Sequence, residues 1–255
     1  VSLYLPHSGP NAASLLARVI HQGRYETALM LRNGEQLVLA VVLPLLALVA
    51  LTLVDLLDGI GPSRIDAAAP GVLALCVMST AFTGQGIATG FDRRYGVLTF
   101  LSTTPLGRAG LIFGKALAVL AVLGVQLVVV GGTAVALGWR PDPVGCLIAL
   151  GLLVLGSGAF TSLGLLIAGT VRPEATLAIT NLAWVLLAAG GGILIPGSQL
   201  PGALASIVAA LPSAALGDAM RTALLDGGFA VGDVALLALW AVLASVAASR
   251  WFKWT

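Results

Sequence analysis

Side chains able to do acid–base or nucleophilic chemistry are few in this 255-residue chain, and none is grouped for it. The two histidines, His7 and His21, both stand near the start. No His-Glu-x-x-His or Gly-x-Ser-x-Gly run occurs, and no pair of carboxylates lies within an apolar stretch. Cys76 and Cys146 sit in separate apolar runs, so they read as inert thiols rather than a disulfide framework or a metal pair. The nearest approach to phosphate chemistry is Gly114-Lys115. A P-loop needs a leading Gly five residues before that Gly-Lys pair and Ser or Thr after it, but Ala109 and Ala116 hold those places. No catalytic, metal or nucleotide site is expected, and the chain does not read as an enzyme.

The polar residues that remain suggest two other kinds of chemistry. One is docking. The segment Asp92 to Lys115, DRRYGVLTFLSTTPLGRAGLIFGK, is charged and broken by Pro105, yet residues 70–91 and 116–137 on either side carry no charge at all. A basic, amphipathic loop between two lipid-soluble runs is a handle for a soluble partner. The other is recognition within the apolar runs. Thr83, Gln85, Gln126 and Asn181 stand there, and an amide facing lipid is expensive, so these residues should face protein or a wet cavity. They serve either as interhelical hydrogen bonds or as the lining of a substrate path. Ser157, Thr161 and Ser162 form a further polar cluster.

The elements that must position these residues follow from composition. Hydrophobic residues make up 58% of the chain and charged residues 9%, against about 25% charged in soluble domains. Mean hydropathy is +1.03. A net charge of +2 is too small to suggest nucleic acid. About 20 apolar residues cross a bilayer as a helix, and six stretches qualify: 37–57, 70–91, 115–137, 144–171, 175–196 and 231–249. Alternating ten-residue strands are not seen, so the expected fold is an all-α membrane protein, a single domain over 1–255. With the N-terminus inside, Arg18, Arg24, Arg32, Arg93, Arg94, Arg108, Lys115, Arg172, Arg250 and Lys253 are cytoplasmic. Arg64, Arg140 and Arg221 are then external, which accounts for all 13 basic residues and fits the positive-inside rule. A multi-pass protein of the cell membrane with both termini cytoplasmic is expected.

Two irregular regions complete the plan. Over 12–32, Leu16, Val19, Ile20, Met30 and Leu31 share one helical side, while Arg18, His21, Gln22, Tyr25 and Arg32 share the other, the pattern of a helix lying in the headgroup plane. Residues 197–233 contain apolar runs too short to span and interrupted by Pro201 and Pro212. They read as a re-entrant external helical hairpin.

In these features the chain resembles the permease subunits of the type-2 ABC exporter family. The resemblance rests on three sets of residues. The first is the interfacial helix leading into Arg32-Asn33-Gly34. The second is the ordered set Asp92-Arg93-Arg94-Tyr95-Gly96, Leu98, Leu101, Thr104-Pro105-Leu106, Arg108 and Gly114-Lys115. The third is Gly190-Gly191-Gly192, Leu200-Pro201, Pro212 and Arg221. After Pro212 the family usually has an apolar residue and then, two further on, Tyr, His or Arg; Ser213 and Ala215 depart from this.

The resemblance implies a complex of two permease copies, identical or not, with two ATP-binding-cassette ATPase subunits. ATP and Mg belong to those partners and no cofactor to this chain. It also implies a cytoplasmic coupling helix at 95–104, with Arg93, Arg94, Tyr95, Leu98, Leu101 and Arg108 meeting the ATPase. The implied function is export of a hydrophobic or amphipathic, drug-like or antibiotic-like compound. Alternatives are export of a lipid-linked saccharide or haem-like cofactor by the same architecture, a membrane-embedded transferase, or a scaffold.

Overall fold

Ser63 starts the longest helix: its hydroxyl accepts from the amide of Asp66, which also supplies the acid favoured in a first turn. In the computed structural model this helix runs Arg64–Arg94. The structure describes residues 13–252 except Thr103 and Pro105, and leaves aside the side chains of Glu35, Leu39, Ser102, Arg108 and Ala109. The described residues are helical with no strand.

In chain order α1 is Leu15–Arg32, capped by Ser14, and α2 covers residues 34–53. The long helix Arg64–Arg94 is α3, the short Val97–Ser102 is α4, and α5 covers residues 107–136. Next come α6, Pro143–Thr170, and α7, Pro173–Gly190. A short pair follows, α8 at Ala203–Ala209 and α9 at Pro212–Asp226, and α10 is Val231–Trp251. Pro143, Pro173 and Pro212 stand in the first turns of their helices, where a missing N–H costs nothing.

Among the described residues five helices are long and apolar enough to cross a membrane: α3, α5 from Gly110, α6, α7 and α10. The pair α8 and α9, bent by 83°, makes a sixth if taken as one broken span. The expected spans mostly persist with shifted ends. The first is the exception: α2 stops at Leu53 because Val54 turns extended, and its apolar part, Ala40–Leu53, is shorter than a full crossing. The fifth ends at Gly190 rather than 196, since Gly192 takes a left-handed φ of 80° and breaks the helix. The second is longer than expected. At 31 residues α3 reaches about 46 Å, well beyond a hydrocarbon core of about 30 Å. It thereby carries Asp92, Arg93 and Arg94 out of the apolar zone.

Helix α3 is the axis of the bundle, buried along almost all of its apolar length, while α7 and α10 are largely exposed. Lipid tails give no hydrophobic drive between helices, so close packing must do that work. Gly86 and Gly164 supply it: a Cβ on Gly164 would lie 2.6 Å from the Phe82 carbonyl oxygen, and Gly86 faces the Gly164 backbone and Thr180. Phe82 and Phe160 meet edge to face at 6.3 Å beside this crossing. Outward, Leu46, Leu182, Leu186 and Val242 expose more than half their surface, a distribution suited to lipid or to another subunit.

Candidate functional site

The Asp92–Lys115 segment is folded back on its own bundle. Gly114 lets α1 approach α5, since a Cβ there would lie 2.6 Å from Gln22 Cγ. One residue on, Lys115 is 3% exposed and its Nζ lies 2.8 Å from Asp92 Oδ2 and 3.2 Å from Glu26 Oε2. Gln22 donates to the other Glu26 oxygen at 2.9 Å. Gly114-Lys115 therefore joins α1, the end of α3 and the start of α5. The face of α1 turned to α5 carries Gly23, Glu26 and Met30, while Leu16 and Ile20 remain exposed. Glu26 escaped the sequence reading because its partner lies 89 residues away. An acid on a basic amphipathic helix was the one available signal.

Arg93 and Arg94 are also engaged. Arg93 donates to the Val171 carbonyl at the α6–α7 turn, and Arg94 pairs with Glu174 in the first turn of α7. The Arg94 guanidinium lies 5.9 Å from the Tyr95 ring centre, and Phe91 stacks on Tyr95 from within α3. Gly96, at φ 70°, lets the chain turn from α3 into α4.

Helix α4 presents two different faces. Leu98 and Leu101 do share a face, but it turns inward: Leu98 is 1% exposed and Leu101 half-buried. The residues turned outward are Tyr95 at 72%, Phe100 at 69% and Val97 at 38% exposed. The physical reason is α5, whose Leu111 and Lys115 share a cavity with Leu98. Pro105 and the Arg108 side chain lie outside the described residues.

Deep in the bundle a polar layer forms where three helices widen into π turns, at Val38–Val42, Met78–Gly84 and Leu127–Gly131. A π turn releases backbone carbonyls from the regular ladder. Gln126 reaches into this layer: its Nε2 donates to the Ala40 carbonyl, whose usual i+4 donor is replaced by Pro44, and its Oε1 accepts from Thr80 Oγ1 at 3.0 Å. Trp184 Nε1 donates to Ser79 Oγ at 2.9 Å, which ties α7 to the same layer.

Of the residues expected to line a path, Thr83, Gln85 and Gln126 are all buried. Gln85 Nε2 reaches Met30 Sδ at 3.5 Å, and Thr83 borders a cavity of about 20 Å³, room for a single water. Asn181 is half-buried on α7. Thr83, Gln85 and Gln126 thus converge between α1, α2, α3 and α5, whereas Asn181 stands apart. A far larger cavity, about 660 Å³, opens instead beside Ser157, Thr161 and Ser162.

At the opposite end Arg221 of α9 is 6% exposed and donates to the carbonyls of Gly192 at 3.2 Å and Ile193 at 2.6 Å. Asp218 holds the same guanidinium at 2.7 Å, and Ser213 Oγ donates to the Gly191 carbonyl at 2.6 Å. The Gly-rich end of α7 and the hairpin are therefore one unit. Ser213, which breaks the family's usual pattern, has a structural use there. Among the described residues no three His, Cys, Asp or Glu side chains gather as metal ligands.

Residues 22–225 match the family model described as ABC-2 type transporter. A search of curated proteins finds no match. The matched stretch begins within α1 and ends within α9. It therefore contains the Glu26–Asp92–Lys115 cluster, the polar layer around Gln126 and the contact of Arg221 with the end of α7.

Proposed function

Because this chain belongs to the ABC-2 type transporter family, we propose that it is the membrane-spanning subunit of an ATP-driven exporter. Its cargo in this reading is a hydrophobic or amphipathic compound, drug-like or antibiotic-like, moved out of the cell. Two ATP-binding-cassette ATPase subunits supply the energy and hold the ATP and Mg. A second permease copy, identical or not, completes the path, and lipid surrounds it. The whole of 1–255 acts as one permease domain in the cell membrane. Both termini are cytoplasmic, α1 lies at the inner interface, and α8–α9 re-enter from outside.

The observation that carries this reading is the outward display of Tyr95, Val97 and Phe100 on a braced support. Aromatic side chains are the usual anchors of a subunit interface. Those on α4 stand beside Arg93 and Arg94, whose alignment is fixed by the α6–α7 turn. Lys115 of α5 links α1 to the end of α3, from which the chain turns into α4. A push on Phe100 therefore reaches three helices through packed side chains and one buried ammonium.

Affinity purification of the full chain from its own host's membranes tests the reading. A P-loop ATPase in stoichiometric amount is expected, with ATP turnover that hydrophobic compounds stimulate. Recovery of the intact chain with no ATPase, or of a complex whose turnover ignores every apolar compound tried, overturns it.

A further inference from the structure

The cavity of about 660 Å³ lies between α5, α6 and α10, within the range of about 300–1,000 Å³ typical of small-molecule sites. Its long walls are apolar, with Ile112 and Leu120 from α5, Val154 and Leu165 from α6, and Ala248 from α10. Ile112, Leu120 and Val154 are exposed, so the groove opens sideways onto the outer apolar face of the bundle. Phe252 closes one end, its ring resting where Gly169 has no side chain.

At that same end the lining becomes polar. Thr89 is 1% exposed, and its Oγ1 has no hydrogen-bond partner among the described residues. A buried hydroxyl with no protein partner carries a desolvation cost, and an oxygen from a ligand would give it a bond. Lys115 lines the cavity beside it. An ammonium has three N–H groups, and Asp92 Oδ2 at 2.8 Å and both Glu26 oxygens, at 3.1 and 3.2 Å, stand within reach of them. One lysine against two carboxylates leaves a net negative cluster, which repels an anionic head group and tolerates a neutral one. Farther along, Thr161 and the hydrogen-bonded pair Ser162 and Ser245 add weak polar contacts on the walls.

We propose that this groove binds one uncharged single-chain amphiphile, its hydroxyl or carbonyl oxygen held by Thr89 beside the Lys115 cluster and its chain along α6. The site deepens the exporter reading by assigning a ligand class to the end of the bundle where cargo would load. It rests on that reading for the bilayer setting alone.

Gly158 offers a clean way to block the groove, because it lines the cavity and a Cβ on it would meet nothing within 4 Å. The experiment uses the full chain, without ATPase, in phosphatidylcholine nanodiscs with a diazirine-bearing dodecanol. Saturable photolabelling of the 111–120, 154–165 or 245–252 peptides is expected. Unlabelled dodecanol should compete and dodecanoate should not. Thr89→Val should weaken binding about tenfold, and Gly158→Phe should abolish labelling in protein that is otherwise folded. Labelling that never saturates, or that spreads equally to 38–53 and 182–186, would mark ordinary bilayer contact and overturn the proposal. Equal competition by dodecanoate, or labelling unchanged in Gly158→Phe, would overturn it too. Because no ATPase is present, failure of the exporter reading leaves every one of these outcomes unaffected.

Discussion

The Lys115 ammonium lies 2.8 Å from Asp92 Oδ2, both carried by the segment that breaks two apolar helices, and Glu26 of α1 closes on it from the other side at 3.1 Å. Lys115 is nearly inaccessible to solvent, with its side chain 4% exposed, and Glu26 is little more so at 9%. Removing the cation alone leaves the buried Glu26 carboxylate unpaired beside the partly exposed carboxylate of Asp92. Lys115→Met should therefore destabilise the chain by about 3–5 kcal/mol, read as a lower unfolding temperature in detergent. The triple variant Glu26→Gln, Asp92→Asn, Lys115→Met removes every charge and should recover most of that loss. A triple variant no more stable than the single one would show that the cluster's charge balance is not what matters.

Leu98 and Phe100 stand two residues apart on α4 and should fail in different ways. Phe100→Asp places a charge on an exposed side chain. Folding should be unaffected, while affinity for the ATPase falls by about 2 kcal/mol or more, roughly thirtyfold. Leu98→Asp buries an unpaired carboxylate and should instead lower the yield of folded protein. Co-purification alongside size-exclusion profiles separates the two. A well-folded Leu98→Asp chain that no longer holds ATPase would return Leu98 to the interface.

Gln126 bridges α2 and α3 from α5, and its loss leaves the Ala40 carbonyl and the Thr80 hydroxyl short of partners. Gln126→Leu should cost about 1–3 kcal/mol. Because Thr80 and Gln126 share one bond, Thr80→Val should add little once Gln126 is gone. Additive losses across that double-mutant cycle would show that the two side chains act separately.

Arg221 spans two carbonyls with a forked guanidinium, which the single ammonium of lysine cannot reproduce. Arg221→Lys should loosen the hairpin from the end of α7 without unfolding the bundle. Faster proteolysis between Gly197 and Gly202 in intact membranes checks this; an unchanged cleavage rate would mean that Ser213 alone secures the hairpin.

Long apolar runs were the legible part of this fold, because a span needs about 20 apolar residues whatever its neighbours are. The exceptions arose from backbone events that hydropathy does not record. Val54 turns extended and shortens α2, Gly192 breaks α7 early, and α3 outruns its apolar stretch on both sides. In the candidate site, Gln126 was legible as a buried amide, since an amide in an apolar run must find a partner. Which atoms it would find was not, because the Ala40 carbonyl lacks its usual helical donor only through Pro44, which has no N–H, and hydropathy does not show that α5 packs against it. For Leu98, spacing gives the face shared with Leu101 but not the inward direction that face takes. Glu26 was missed because its meaning depends on a lysine 89 residues away, on α5.

Orientation is the last expectation, and the coupling scheme depends on it. Arg93, Arg94, Lys115 and Glu174 are joined by contacts at one end of the bundle. Arg64 pairs with Asp55 and Asp58 at the other, where Asp66 accepts from the Arg140 amide. The basic excess of the first end should face the cytoplasm, since ATP is found there and α4 must reach an ATPase. Cys76 is buried and Cys146 half-buried, so both are first replaced by Ala. Single cysteines then go to Ser63 and Ser198 at the Arg64 end, and to Tyr95 at the other, all exposed. An impermeant maleimide on intact cells should modify positions 63 and 198 and spare 95 until the membrane is opened. Modification at 95 from outside would place α4 away from ATP, and the docking role of Tyr95 and Phe100 would fall with it.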